Sequence, residues 1–301
     1  MTEAQLNELT KQVDDMIYPY FPKEEGPQKR IFESMNYSFE AGGKRIRPML
    51  MMESFLLLGG SEDDTDIIAP FMAAMEMVHT YSLIHDDLPA VDDDDFRRGK
   101  PTNHKKFGET TAIFAGDAML NYAFETMLDD TIKEADDVWK AKKLRAMQVL
   151  ARNAGAYGML AGQMVDYLCE NKKDVTLEDI MFIHEKKTAA LIQAPLVMGA
   201  IFAGAPEEKI ARMEQAGYLI GLSFQIQDDI LDCVGNEEKL GKKTGSDARK
   251  EKSTYVTIKG LKEAKEDQVR MSHEARGLIL SMATGPSLLP EIVEILISRE
   301  S

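Results

Sequence analysis

Two aspartate clusters, each set in an apolar helical pattern, constrain this chain more than anything else in it. The first reads Leu83-Ile84-His85-Asp86-Asp87-Leu88-Pro89-Ala90-Val91-Asp92-Asp93-Asp94-Asp95-Phe96-Arg97-Arg98-Gly99, the second Phe224-Gln225-Ile226-Gln227-Asp228-Asp229-Ile230-Leu231-Asp232. Carboxylates are strongly hydrated and are seldom buried without a partner. Two such clusters on apolar helices therefore ask for divalent cations. Hard oxygen ligands suit Mg²⁺, which takes one or two carboxylates and completes its shell with water and substrate phosphate. Arg97 and Arg98, directly after the first cluster, suit phosphate as well. Mg²⁺-bridged diphosphate chemistry is the natural reading.

The spacings differ between the clusters. Asp228 and Asp232 are four apart, which puts both on one face of a helix about one turn apart. Like charges at that spacing repel, so something must compensate. Phe224, Ile226, Ile230 and Leu231 leave little room for a solvated acidic face. Asp86 and Asp92 are six apart and cannot share a face of a regular helix. Pro89 ends the helix there, so the chain can turn and bring Asp92 back towards Asp86. The plain alternative is a helix end followed by an acidic surface loop. A calcium loop is a weak third option, because the EF-hand spacing and its central glycine are absent.

Around these clusters nearly every long segment carries helical periodicity, at roughly 3–18, 28–40, 46–58, 63–88, 109–129, 137–168, 176–203, 206–234, 255–282 and 289–299. Asp63-Asp64 and Thr176 with Asp179 mark helix starts, Gly59-Gly60 and Gly204 stops. No segment alternates as a strand does. Stretches 93–108 and 235–253 read as loops, one after each cluster. Aromatic content of 7% with 19 Met favours helix over strand. With no linker or break in composition across 301 residues, the expectation is one all-α domain.

A formal net charge of −15 makes nucleic acid or an anionic membrane a poor partner, and phosphate would need local cations. Cys169 and Cys233 form neither a metal cluster nor a disulfide framework, which fits a reducing cytoplasm. The N-terminus lacks a signal-peptide pattern, and no run matches the roughly 18 uncharged apolar residues of a membrane span. Local cations are at hand in Gly43-Lys44-Arg45-Ile46-Arg47, Arg97-Arg98, Lys186-Lys187-Thr188 and Lys242-Lys243. Singly, each is usually a surface charge. Gly42-Gly43 before Lys44 is not a Walker-type loop, since that spacing is missing. His79 and His85 precede the first cluster, and a lone histidine on an apolar helix is more often core than ligand.

Taken together these elements resemble the trans-isoprenyl diphosphate synthase family, in motif order from Gly42 to about Tyr255. The block from Tyr81 to Pro89, followed by Asp92 through Arg98-Gly99-Lys100-Pro101-Thr102-Asn103-His104, carries most of the likeness. The two extra residues between Asp87 and Asp92 match the bacterial farnesyl-type branch. The resemblance implies an all-α fold around a deep central cavity and a homodimer. It implies Mg²⁺-dependent, head-to-tail condensation of isopentenyl diphosphate with dimethylallyl or geranyl diphosphate to give a C15 product, the alternative being a C20 or mixed-length one.

It further implies roles by position. Asp86 and Asp92 would hold two Mg²⁺ with Asp87 supporting. Asp228 would hold a third, with Asp229 and Asp232 supporting through water. Arg97, Lys187 and Lys242 would contact the allylic diphosphate; either lysine of the 242–243 pair fits, and Lys242 is chosen because it follows Gly241. Lys44, Arg47, His79 and Arg98 would hold the isopentenyl diphosphate. Gln163, Thr188 and Gln225 would line the reacting carbons, with Asp166 near the metals. Tyr81 and Ser82, five and four residues before Asp86, would form the floor that limits product length. Ala189 and Val256 stand where relatives often have Gly and Pro, and neither change removes a ligand. Intact clusters and basic positions argue against a non-catalytic partner subunit, and the second aspartate motif argues against a terpene cyclase.

Overall fold

The computed structural model describes residues 1–170, 172–240 and 253–297, with side chains left aside at 235–240. In chain order the helices are α1 (Glu3–Ile17), α2 (Lys29–Phe39), α3 (Ile46–Leu57), α4 (Thr65–Asp86), α5 (Asn103–Phe107), α6 (Glu109–Lys133), α7 (Asp137–Ala154), α8 (Met159–Cys169), α9 (Leu177–Ile183), α10 (Ala190–Phe202), α11 (Glu207–Leu240), α12 (Tyr255–Lys259), α13 (Leu261–Met282) and α14 (Leu289–Ile297). The fold is all-α, as the periodicity predicts. Its strands among the described residues are two of two residues each, β1 (Phe96–Arg97) and β2 (Lys100–Pro101), paired antiparallel with Phe96 opposite Pro101.

Helices α4 and α10 are the centre, because both are apolar nearly all round. Every residue of α10 is buried except Gln193. It packs on α3, α7 and α11, while α4 packs on α3 and α6, and α13 lies along α11. The stretch Glu62–Asp86 is long and apolar enough by composition to cross a membrane, yet 78% of its apolar window is buried inside the fold. That surface is spent on helix packing.

Of the start and stop signals, Asp63-Asp64 lies in a short 3-10 turn before α4 and makes no side-chain cap there, while the others act where the sequence puts them. Thr176 and Asp179 form a reciprocal capping box at α9, and Gly59 and Gly204 take positive φ after α3 and α10. Three predicted helices are interrupted. Gly155-Ala-Tyr-Gly158 separates α7 from α8, Gly158 lying outside helical φ/ψ. Gly260, at φ 86°, separates α12 from α13, a conformation open to glycine without strain. Between α9 and α10 the chain widens into a π turn, His184–Ala189.

Candidate active site

Helix α4 delivers the first aspartate cluster at its C-terminus. Asp86 is its last residue and Asp87 its cap. Pro89 follows, and the chain reverses: the N–H of Val91 donates to the Leu88 carbonyl (2.8 Å) and that of Asp92 to the Asp86 carbonyl (2.9 Å). Asp92 thus returns over the helix end. The half-buried Asp86 carboxylate makes no hydrogen bond or ion pair among the described residues. Burial pushes its pKa up to about 6; Lys187 pulls against that, and Asp92 and Asp87 add repulsion. An oxygen ligand held in this way, with more carboxylates behind it, suits a hard divalent cation.

The hairpin of β1 and β2 turns at Arg98 (φ 52°) and Gly99 (φ 75°), the paired positive φ that a tight two-residue connection demands. It swings Arg97 back onto Asp87. Arg97 Nε donates to both carboxylate oxygens (2.8 and 2.9 Å) and Nη2 lies 2.6 Å from Oδ1. Asp87 and Arg97 are therefore committed chiefly to each other. Arg98 donates to the Gly42 carbonyl and ties the hairpin to the loop that carries Lys44.

Two cavities meet at this point. The first, about 790 Å³ counting its open mouth, is lined by Asp86, Tyr81, Ser82, Gln163, Lys187 and Thr188, among others. The second, about 1070 Å³ by the same measure, is lined by Lys44, Arg47, His79 and Arg98, with Arg45 and Glu76. Arg47 and His79 belong to both walls. Arg47 Nε is buried with no hydrogen-bond partner. Burial lowers the Arg47 pKa to about 10, with Glu76 opposing and Arg98 adding to the drop. Burial, then Arg47 and Arg98, hold the His79 pKa well below its ordinary value, so it is neutral. A cavity wall that leaves a guanidinium nitrogen buried and without a partner suits an anion.

The π turn joins the first cavity to the second aspartate cluster. Lys187 Nζ donates to Asp166 (2.6 Å), Thr188 Oγ1 to Gln225 Oε1 (2.6 Å), and Gln225 Nε2 to Asp228 (3.3 Å). The turn lies so close to α8 that a Cβ on Gly162 would sit 2.1 Å from the Lys187 nitrogen. Asp229 accepts from the Tyr255 N–H (2.8 Å) and lies 3.5 Å from His184 Nε2, which points to support of α12 and the π turn. Asp232 is exposed. Among the described residues no three His, Cys, Asp or Glu side chains are gathered to hold a metal by themselves, as suits an ion that takes few carboxylates and completes its shell from substrate. Lys242 and Lys243 lie outside the described residues. Sequence reasoning missed Glu76 and His184, took Arg45 only as one of a run of local cations, and gave Tyr255 no role. The one available signal was Glu76, an acid three residues before His79 in an otherwise apolar helix.

The polyprenyl synthetase family model matches residues 28–277. The chain belongs to that family. It is 43% identical to the farnesyl diphosphate synthase of Bacillus subtilis (strain 168) over 98% of this chain and 97% of that one. It is also 46% identical to the large subunit 1 of a chloroplastic heterodimeric geranylgeranyl pyrophosphate synthase of Arabidopsis thaliana, over 83% and 67%. Among solved structures, an FPP/GFPP synthase from Zymomonas mobilis superposes with a TM-score of 0.82 at 30% identity, covering 98% of this chain and 96% of that one. A Helicobacter pylori geranyltransferase complexed with magnesium and isoprenyl diphosphate gives 0.79 at 31%, covering 98% and 95%.

One further side chain of the first cavity carries an orphaned polar atom. Tyr81 lines that cavity, is only 3% exposed, and has a buried hydroxyl with no hydrogen-bond partner. Burial, then Asp86, raise its pKa to about 12. Its ring stands edge-on to His85 at 5.9 Å, and Ser82 beside it donates to the His79 carbonyl (2.8 Å).

Proposed function

We propose that this polyprenyl synthetase condenses isopentenyl diphosphate head-to-tail with dimethylallyl or geranyl diphosphate, releasing diphosphate and a C15 farnesyl diphosphate. One observation carries the reading. Two neighbouring cavities, one edged by the carboxylate of Asp86 and one by Lys44, Arg47 and Arg98, share a wall. Two anionic substrates held on either side of that wall would meet at their carbon ends. Near-full-length relatives that are farnesyl diphosphate synthases support the same reading.

The roles follow from charge. Asp86 and Asp92 on one side, and Asp228 with Asp232 on the other, would hold Mg²⁺, three ions when the allylic substrate is bound. Asp87 and Asp229 support them from the rear, one through Arg97, the other through His184 and Tyr255. The bound metal supplies stabilisation of the charge that develops on the leaving diphosphate. Lys187 adds to that, and Arg97 offers Nη1, which takes no part in its pairing with Asp87. Arg47, Lys44, Arg98 and neutral His79 hold the second diphosphate, so its alkene lies within reach of the allylic cation. The Thr188 and Gln225 side-chain oxygens and the Lys187 carbonyl face positive charge without being strong nucleophiles. The departing diphosphate takes the final proton, so no side-chain base is needed. With substrate and metal filling its mouth, the cavity would keep water off the cation. Exposed Met164 and Leu168, one turn apart on α8, would suit burial against a second copy in a homodimer.

The test is to incubate purified protein with isopentenyl and dimethylallyl diphosphate, with and without Mg²⁺, then dephosphorylate and resolve the alcohols. A Mg²⁺-dependent C15 alcohol is the expected result. A dominant C20 alcohol would keep the condensation and discard the product length, and no metal-dependent product would discard both.

A further inference from the structure

Glu76 is out of place among the cations of the second cavity. It is 2% exposed, lies one turn before His79 on α4, and lines the cavity alongside Lys44, Arg47, His79 and Arg98. Its Oε1 lies 3.0 Å from Nη1 of Arg45. Arg45 is itself 4% exposed and caps α3 in the left-handed region, at φ 49° and ψ 36°. A residue with a Cβ holds that conformation only where its surroundings over-determine it. They do so here: Arg45 Nε donates to Asp14 (2.6 Å), Nη2 to the Phe39 carbonyl (2.9 Å), and the guanidinium lies 3.9 Å over the Phe39 ring. The side chains on either side of this fixed point, Lys44 and Arg47, both line the second cavity.

We propose that Glu76 is a positioning residue for the isopentenyl diphosphate pocket. It clamps Arg45, and thereby sets Lys44 and Arg47 on one cavity, while its carboxylate offsets the mutual repulsion of Arg45, Arg47 and Arg98. This deepens the reading of the second cavity given above and rests on it. Two separate observations support it. The carboxylate favours the charged forms of both Arg47 and Arg98 against burial. And with Glu76 gone, Arg45 would be a buried cation sharing only the 38%-exposed carboxylate of Asp14. A buried charge that loses its buried counter-ion drives local rearrangement. Glu76, Lys44 and Arg98 line the second cavity and not the aspartate cavity, the shared wall being Arg47 and His79, so the effect falls chiefly on the substrate of the second cavity.

The experiment is steady-state kinetics of Glu76→Gln, varying isopentenyl diphosphate at saturating allylic diphosphate and then the reverse. The KM for isopentenyl diphosphate should rise by about tenfold or more, the usual size for a lost charge-assisted contact. The KM for the allylic substrate should stay within about twofold. A rise in both, or in neither, overturns the proposal. Lys44→Ala is run alongside: if it leaves the KM for isopentenyl diphosphate unchanged, the assignment of the second cavity has failed, whatever Glu76 does. Thermal melting shows whether Glu76→Gln is folded at the assay temperature. If it is not, Glu76→Asp, which keeps the charge but shortens the reach to Arg45, takes its place under the same criteria.

Discussion

Tyr81 puts a polar atom where the fold leaves it no partner. A buried hydroxyl without a hydrogen bond costs about 1–3 kcal/mol, and the Tyr81 oxygen is such a group at the wall of the aspartate cavity. On the proposed reading the ring is the floor of that cavity, five residues before Asp86 on the same helix. Tyr81→Ala should therefore move the main product from C15 to C20 or longer, read from the chain length of the alcohols. Tyr81→Phe should keep C15 and raise the melting temperature, because it removes the orphaned oxygen and keeps the plug. C15 from the alanine variant would remove Tyr81 from the floor. At this scale the sequence was most legible where a single residue dictates geometry. Pro89 implied that Asp92 folds back on Asp86, and the backbone bond between them is present. The bidentate pairing of Asp87 with Arg97 was not legible. It depends on a two-residue turn at Arg98-Gly99, and nothing in a loop-like stretch says how tightly it closes.

The π turn between α9 and α10 shows how much an element can hide from its own pattern. The apolar spacing from 176 to 203 reads as one helix, because the six residues His184–Ala189 fit inside it without shifting the buried face beyond recognition. What they change is local: widening the turn loosens the ladder at the point where Lys187 and Thr188 meet the cavity, a placement typical of such turns at functional sites. Its other half is Gly162 on α8, which brings the two backbones together. A methyl group there would stand 2.1 Å from the Lys187 nitrogen and 2.7 Å from the Lys186 carbonyl carbon, both backbone atoms that cannot swing aside. Gly162→Ala should cost about 1–3 kcal/mol of stability, the usual range for overpacking. It should also lower kcat, since relief of the clash must shift the π turn and with it the bonds of Lys187 to Asp166 and Thr188 to Gln225. Thermal melting and turnover on the same preparation check this; an unchanged melt with normal turnover would mean that α8 simply slides. The breaks at Gly155-Gly158 and Gly260 were less hidden, because glycines inside long periodic stretches mark possible interruptions.

On the scale of the whole molecule, the last 42 residues are where sequence reading stopped, since no motif lies beyond Lys259. The structure shows what that segment does. Glu53, buried on α3, accepts from the Leu288 N–H (2.6 Å) and the Ser287 hydroxyl (2.8 Å), and Gln268 on α13 donates to the Ile297 carbonyl (2.7 Å). These contacts dock α14, and Leu296 from that helix lines the second cavity. The end of the chain thus walls a site whose charged residues come from its first third, a closure that only the tertiary fold reveals. Glu53 holds this join at an electrostatic disadvantage. Burial raises its pKa above the ordinary 4.5; the Leu288 and Ser287 bonds pull the other way, and Glu291 and Glu62 add repulsion. The sign follows from linkage. A carboxyl whose folded pKa is raised contributes stability that is full below 4.5 and is lost as pH rises through the folded value, up to about 1.4 kcal/mol for each unit of difference. Glu53→Gln can still accept both bonds but cannot ionise. Its stability relative to the unmodified chain should therefore increase as pH rises from about 4.5 and level off once Glu53 is fully ionised. Denaturant unfolding of both proteins between about pH 4 and pH 8 measures that difference directly. A difference that does not change with pH would show that Glu53 ionises in the fold as readily as in the open chain, and that the bonds to Ser287 and Leu288 offset the whole of its burial.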